Sequence, residues 1–189
     1  MGNCTHVWQY AQAHARLFPS VGRRMREQSL FYQNESGGIL RSGTPYGAMR
    51  HTTQRVAFDG QCGEILAAYR EHLCSADRSW LEKVWPRIRE AMEYVIVTWD
   101  KDEAPWAPRS VPGGTCGDGV LAGLRKFSIC DCRLPIENRK SEIGNAARGT
   151  LYLAALGASE KMALLQGQPN LASRYRRIRL AGENPYGTP

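Results

Sequence analysis

The stretch that most constrains the fold is 59–99, DGQCGEILAAYREHLCSADRSWLEKVWPRIREAMEYVIVTW. Its apolar residues recur every three or four positions, which is the period of an amphipathic α-helix. One helix has a stripe of Cys62, Ile65, Leu66, Tyr69 and Leu73, and the next has a stripe of Leu81, Val84, Trp85, Ile88, Met92, Val95, Ile96 and Trp99. Neither helix can bury its stripe alone, so the pattern predicts an array of several helices.

The ends of these two helices carry capping signals. Asp59 is placed to cap the exposed N–H groups of the first helix, and Asp77 is placed to cap the second after a short break. Pro86 has no N–H to donate to the helical ladder. It therefore predicts a kink or a restart inside the second helix.

The remainder of the chain predicts more helices around one irregular insertion. Helical spacing occupies 4–33, with a break at Pro19, and it returns over 150–182. Between 100 and 149 the pattern is irregular, and the segment APWAPRSVPGGTCG at 104–117 holds three prolines and three glycines. Helix pairs of this kind are typical of an α/α toroid or a solenoid, which periodicity does not separate.

Composition limits the classes of protein that the chain can represent. Its 189 residues suffice for one ordinary domain, and the net charge of +7 is a mild basic excess. The arginine-rich run at 174–179 surrounds an apolar edge of Tyr175 and Ile178, which favours a solvated helix face over a nucleic-acid patch. No run approaches the ~20 apolar residues of a membrane span.

The cysteines and the first residues bear on the compartment. Six cysteines have neither zinc nor disulfide spacing, which indicates free thiols in a reducing environment. The opening MGNCTHVWQY has no secretory signal. We therefore expect a cytoplasmic protein, unless a longer N-terminus carries a signal.

Four segments taken in order resemble the catalytic region of glycoside hydrolase family 116. That family includes the non-lysosomal glucosylceramidases and bacterial β-glucosidase-like proteins. The segments are NCTHVWQY with LFP at 17–19, DGQ at 59–61, YRE at 69–71 with WLEKVWP at 80–86, and TLYLAAL at 150–156. The resemblance implies an all-α chain that forms about half of an (α/α)6 barrel, a carbohydrate or glycoside as substrate, and no cofactor.

The resemblance also implies catalytic residues. Retaining glycosidases use one carboxylate as nucleophile and a second carboxyl group as acid/base. The stretch DGVLAG at 118–123 matches one that precedes the family's acid/base, which makes Asp131 the candidate for that role. The three residues before Asp131 depart from the family's Asn-Thr-Tyr. The family's nucleophilic Glu lies before the segment that matches Cys4, so we expect it to be missing from these 189 residues.

His6, Trp8 and Asp59 are the candidates for contacting a sugar. Each also fits a structural role, as a helix-start residue, a core aromatic and a helix cap. The acidic positions Asp100 and Asp102 are separated from the next Asp-Gly by the insertion, so we expect no metal site. The alternative function is a non-catalytic helical remnant or a protein-interaction module. The sequence leaves the oligomeric state open.

Overall fold

The chain is built from helices. The computed structural model describes residues 3–5, 12–40, 42–43, 56–100 and 136–183. Within these ranges there are six helices and one pair of two-residue antiparallel strands. The helices are α1 Ala13–Leu17, α2 Pro19–Phe31, α3 Phe58–Leu73, α4 Ser79–Trp99, α5 Ile136–Leu165 and α6 Pro169–Glu183, and the strands are β1 Asn3–Cys4 and β2 Ser42–Gly43. The prediction of an all-α fold is confirmed, and the prediction that the helices form about half of an (α/α)6 barrel stays a prediction.

Helix α3 lies at the centre of the described array. It packs against α2, α4 and α5, and ten of its 16 residues are buried. Cys62 and Ile65 of the predicted stripe are fully buried, whereas Leu73 at the end of the helix is exposed. Because neighbours surround α3, burial extends well beyond its apolar stripe.

Two helical hairpins build the core. Short connections join α3 to α4 and α5 to α6, and each pair packs together. The ring of Phe58 at the start of α3 lies 5.1 Å from that of Trp99 at the end of α4, as antiparallel packing requires. The predicted stripe of α4 is buried apart from Trp99, which is partly buried. Tyr175 and Ile178 of α6 are fully buried, as their apolar edge predicted.

The observed helix bounds correct the sequence analysis in two places and confirm it in a third. Helix α5 begins at Ile136, so the prediction of irregular structure up to 149 is wrong from that residue onward. Cys4 lies in β1 and not in a helix, although a helix does end before Pro19. The second predicted helix of this region is confirmed as α2, with Pro19 in its first turn, where a missing N–H costs nothing.

Helix α4 runs through Pro86 without interruption. Of the two outcomes predicted for Pro86, the restart is therefore wrong and the kink stays a prediction. Pro86 is exposed, so its ring lies on the outer side of the helix, away from the core. The carbonyl one turn earlier loses its helical partner there, and water can satisfy it.

The two predicted caps have different outcomes. Helix α3 begins at Phe58 with Ala57 at the N-cap, so the N-cap role predicted for Asp59 is wrong. The Asp59 carboxylate accepts a hydrogen bond from the Gly60 N–H at 2.9 Å. Its negative charge in the first turn interacts favourably with the helix dipole. The N-cap of α4 is Arg78, but Asp77 just before it does accept from the N–H and the hydroxyl of Ser79, at 2.9 and 2.6 Å. These bonds lower the pKa of the Asp77 carboxyl.

The loop after α2 is fixed to α3 and α4 by one glutamine. The Oε1 atom of buried Gln61 accepts from the Ile39 N–H at 2.7 Å, and its Nε2 donates to the carbonyls of Gly37 and Ala91 at 2.9 and 3.0 Å. Gly37 has a φ of +93°, and a Cβ there would lie 2.3 Å from the carbonyl oxygen of Glu90. The close approach of the loop to α4 thus requires glycine at this position.

Replacing Gly37 by Ala tests this contact, and Gly167 supplies the matched control. Gly167 also has a positive φ, of +68°, but a Cβ there meets nothing within 4 Å. We expect Gly167→Ala to cost about 1–2 kcal/mol of unfolding free energy from backbone strain alone. Gly37→Ala should cost more, about 3 kcal/mol, because the helix must also shift. Equal losses in urea denaturation of the two variants would contradict the role of the contact.

Candidate functional site

Of the four residues expected at a sugar site, one can be placed. Asp131, His6 and Trp8 lie outside the described residues, so their roles stay predictions. Asp59 is partly buried in the first turn of α3, one turn before Cys62. Burial, with a contribution from the Asp59 charge, raises the pKa of the Cys62 thiol. Cys62 therefore stays protonated and is a poor nucleophile.

Asp59 lies where α3 begins and α4 ends, at the same end of the array as several aromatic and acidic side chains. The ring of Trp99 lies 5.1 Å from that of Phe58 and 5.4 Å from that of Tyr94, both edge to face. We call this group the α3 N-terminal cluster, and its members are Phe58, Asp59, Tyr94, Trp99, Asp100 and Tyr152. Carboxylates bind hydroxyl groups and aromatic faces pack on apolar sugar surfaces, so this composition is compatible with a glycoside ligand.

Tyr152 joins α5 to the α3 N-terminal cluster. Its hydroxyl donates to Oδ2 of buried Asp100 at 2.7 Å, and its ring lies 6.1 Å from that of Phe58. Asp100, which the sequence suggested only as part of an interrupted acidic run, is thus engaged within the protein. Nothing in the spacing of Tyr152 signalled this bond, because its partner lies 52 positions away.

A group of charged side chains is buried between α2 and α3. The guanidinium of Arg26 bonds the Glu71 carboxylate through Nε and Nη2, at 2.9 and 3.2 Å, and Nη1 forms an ion pair with Glu64. Arg70 Nη2 donates to Glu71 at 3.0 Å. We call these four residues the buried ion cluster. The side chains of Arg26, Glu64 and Glu71 are almost entirely inaccessible to solvent.

The buried ion cluster has paired carboxylates but not the arrangement of a glycosidase site. In such a site a proton donor and a nucleophile face an open cleft. Here Glu64 and Glu71 are both engaged by arginine and shielded from solvent. The cluster therefore serves structure, since removing one member of such a group leaves a buried charge without its partner. The spacing of seven residues between the two glutamates places them on one face of α3, but no sequence signal marked Arg26 as their partner.

The charges of the buried ion cluster affect the pKa of His14 on α1. Burial lowers its pKa, the guanidinium of Arg70 acts in the same direction, and Glu71 opposes them. His14 is therefore neutral at neutral pH. Protonating it would place a further positive charge beside a group that already contains two arginines.

Two open depressions lie on the outer surface of the hairpin α5–α6 and beside α4. One, of about 540 Å³, contains Arg174, whose Nη1 binds both oxygens of Glu93 at 2.8 and 2.7 Å. The other, of about 580 Å³, contains Arg179, whose Nη2 lies 3.1 Å from Glu160. In each depression the arginine named here is paired with a glutamate of the protein.

Comparison with known proteins adds no family to these observations. No known family model matches the chain, and no curated protein does. Among the residues with a described position, no three His, Cys, Asp or Glu side chains form a group that could hold a metal ion. Every helix described here is too short or too polar to cross a bilayer.

Replacing Arg26 by Met tests the buried ion cluster, with Arg24→Met as the control. Arg26→Met leaves two buried carboxylates without their guanidinium and should cost about 3–5 kcal/mol of unfolding free energy. The Arg24 side chain is 82% exposed, so its replacement should change stability by no more than about 0.5 kcal/mol. If Arg26→Met prevents folding, the triple variant Arg26→Met, Glu64→Leu, Glu71→Leu should recover a folded protein. A triple variant that stays unfolded, or an Arg26→Met loss as small as that of the control, would contradict this assignment.

The lowered pKa of His14 predicts a pH dependence of stability. Between the folded-state pKa and the ordinary value near 6.5, the unfolded chain binds more protons at this position than the folded chain does. The free energy of unfolding should therefore fall as pH drops through 6.5 and level off below the folded-state pKa. His72, whose pKa is also lowered by burial, adds to the same slope. Denaturation at pH 8 and pH 5 should show a smaller change in His14→Asn than in the parent; an equal change would refute the prediction.

Proposed function

We propose that this chain is part of the catalytic region of a retaining β-glycosidase of the β-glucosidase type. The observation that carries the proposal is the order of packing: α3 contacts α5 directly, and α4 and α6 pack on them as their hairpin partners. In an α/α barrel, alternate helices form the inner ring and their partners the outer ring. The four segments that resemble glycoside hydrolase family 116 support the same proposal.

The location of Asp59 favours the α3 N-terminal cluster as the sugar-binding end of the array. Asp59 lies in the first turn of α3 and Asp100 is the C-cap of α4, so both lie at the same end of this hairpin. The stretch that contains Asp131 continues the chain directly from Asp100. In this proposal Asp131 is the acid/base, and His6, Trp8 and Asp59 contact the sugar.

The proposed chemistry divides the work between two carboxyl groups. Asp131 would protonate the leaving oxygen and then activate water, while a glutamate would trap the oxocarbenium-like centre. By the resemblance, that glutamate precedes the segment that begins at Cys4. A chain without a nucleophile and without the remaining barrel wall loses both covalent catalysis and substrate positioning. The 189 residues by themselves are therefore proposed to be inactive.

The alternative function is a helical interaction module. The observation that favours it is the apolar outer surface of α2, where Phe18 and Phe31 are largely exposed. Assays of glycoside binding and hydrolysis distinguish the two functions, because an interaction module needs neither Asp59 nor Asp131.

Hydrolysis of p-nitrophenyl β-D-glucoside tests the proposed function. The 189-residue chain should release no p-nitrophenol above the uncatalysed rate. A longer version with a glutamate about ten residues before Cys4, joined to the remaining barrel helices of a family relative, should hydrolyse it. Asp131→Asn in that longer protein should abolish turnover of alkyl β-glucosides, whose poor leaving groups need protonation, and slow the aryl substrate less in its glycosylation step.

The control for that experiment is Asp77→Asn in the longer protein. Asp77 accepts a hydrogen bond from Ser79 at the start of α4 and lies on the loop between α3 and α4, at the end of the hairpin opposite to Asp59. Its replacement should therefore leave the turnover number unchanged. Suppose that the 189-residue chain hydrolyses the substrate and that Asp131→Asn does not change the rate. That result would contradict both the dependence on a missing glutamate and the role of Asp131.

A further inference from the structure

Helix α2 has a charged group on its inner side and apolar side chains among its exposed residues. Its inner side combines Leu30, which lies in the core, with Arg26, which enters the buried ion cluster. Its outward side presents Val21, which is 49% exposed, between two phenylalanines. A helix that faces water normally exposes polar residues, so these apolar side chains make the outer side of α2 suited to bind another apolar surface.

The exposed residues follow the spacing of a helix-packing seam. Phe18, Val21, Met25, Gln28 and Tyr32 are separated alternately by three and four positions, which places them on one side of α2. Phe18 is 61% exposed, Gln28 is exposed, and Met25 and Tyr32 are partly buried. Phe31, 81% exposed, flanks this stripe and contacts Tyr32 edge to face at 5.7 Å. We call these six residues the α2 outer stripe.

The charges beside the α2 outer stripe indicate the partner. Of the four arginines between Gln12 and Gln33, Arg26 is buried in the ion cluster and Arg23 donates to the carbonyl of Cys74. The other two are exposed: Arg16 on α1, and Arg24 at the edge of the stripe, whose side chain is 82% exposed and pairs with Glu27 at 3.5 Å. A partner surface with acidic groups at its edges would bind more favourably, because those groups would pair with the exposed arginines.

We propose that the α2 outer stripe binds an acidic amphipathic helix of another polypeptide. Alternating spacing of three and four residues matches the knobs-into-holes packing of two helices. Gln28 within the stripe favours a protein partner over a lipid surface, since a helix can offer a hydrogen bond to its amide and fix the register, whereas hydrocarbon cannot. This inference does not depend on the glycosidase proposal, and it concerns the side of the array formed by α2 rather than the α3 N-terminal cluster.

Fluorescence anisotropy with two labelled peptides tests the proposal. Both peptides repeat a heptad with Leu at the two seam positions; one has Glu at the flanking positions and the other has Lys, and like charges keep each peptide from pairing with itself. The parent chain should bind the Glu peptide at least about tenfold more tightly than the Lys peptide. The variant Phe18→Ser, Val21→Ser, Phe31→Ser should weaken binding of the Glu peptide at least about tenfold.

The substitutions are chosen to preserve the fold. All three residues are exposed, and Phe18 occupies the N-cap of α2, where serine is a favourable residue. The matched control is Val97→Ser with Leu180→Ser, which removes exposed apolar side chains from α4 and α6 and should leave binding unchanged. Circular dichroism confirms that each variant keeps its helix content.

Four results would overturn the proposal. They are absence of binding by the Glu peptide, equal binding of the two peptides, an unchanged affinity in the triple variant, and an equal loss in the control variant. Sedimentation that shows dimers of the parent but not of the triple variant would assign the stripe to a second copy of this chain. Binding to vesicles of phosphatidylcholine and phosphatidylserine that the triple variant loses would assign it to a membrane surface.

Discussion

Enclosure of α3 by its neighbours is the constraint on which the rest of the structure depends. A helix with one apolar stripe can bury that stripe and leave its other sides in water. Helix α3 instead packs against three helices, and its buried residues include Gln61, Glu64 and Glu71. Every polar group brought into the interior in this way needs a partner, since an unpaired one costs several kcal/mol.

The partners of those three side chains explain how the surrounding elements are held. Gln61 bonds the loop after α2 and a carbonyl of α4, so one amide fixes two neighbours of α3. Glu64 and Glu71 fix α2 through Arg26. Such contacts contribute little net stability compared with apolar burial, because the cost of desolvating charge offsets most of the attraction. Their value is in specificity: α2 pairs correctly only where Arg26 meets both carboxylates.

The charged inner contact of α2 follows from the same arrangement. Since α3 presents carboxylates to α2, the inner side of α2 holds Arg26 beside the core residue Leu30, whereas Val21 and Phe31 of α2 are exposed. The arrangement links the central helix to the surface that we propose as a docking site. It also separates that surface from the α3 N-terminal cluster, where the proposed sugar contacts lie.

The sequence predicted the helices that have strong periodicity and missed what depends on distant partners. The stripes of α3 and α4 were correct for Cys62, Ile65 and most of α4, because apolar spacing is local information. The part of α5 from 136 to 149, nearly half of its 30 residues, was missed because it lacks an apolar stripe. The cap assigned to Asp59 was misplaced, since capping residues and first-turn residues share the same composition and only the backbone separates them.

The candidate site was less accessible to prediction. Asp59 could be located within the first turn of a helix, but the bond from Tyr152 to Asp100 joins residues 52 positions apart, and the pairing of Arg26 with Glu71 joins residues 45 apart. Neither has a local signature in the chain. The roles of Asp131, His6 and Trp8 rest on the resemblance to a glycosidase family, which supplies chemistry that spacing alone does not contain.

Native-state hydrogen exchange tests the central position of α3 most directly. If the array depends on α3, the amides of 65–68 should exchange only through global unfolding, with a free energy equal to that from denaturation, and should be the slowest in the chain. The amides of α1 and the outer turns of α2 should exchange through smaller openings. Exchange of the α3 amides at a lower free energy than those of α4 and α5 would contradict the account.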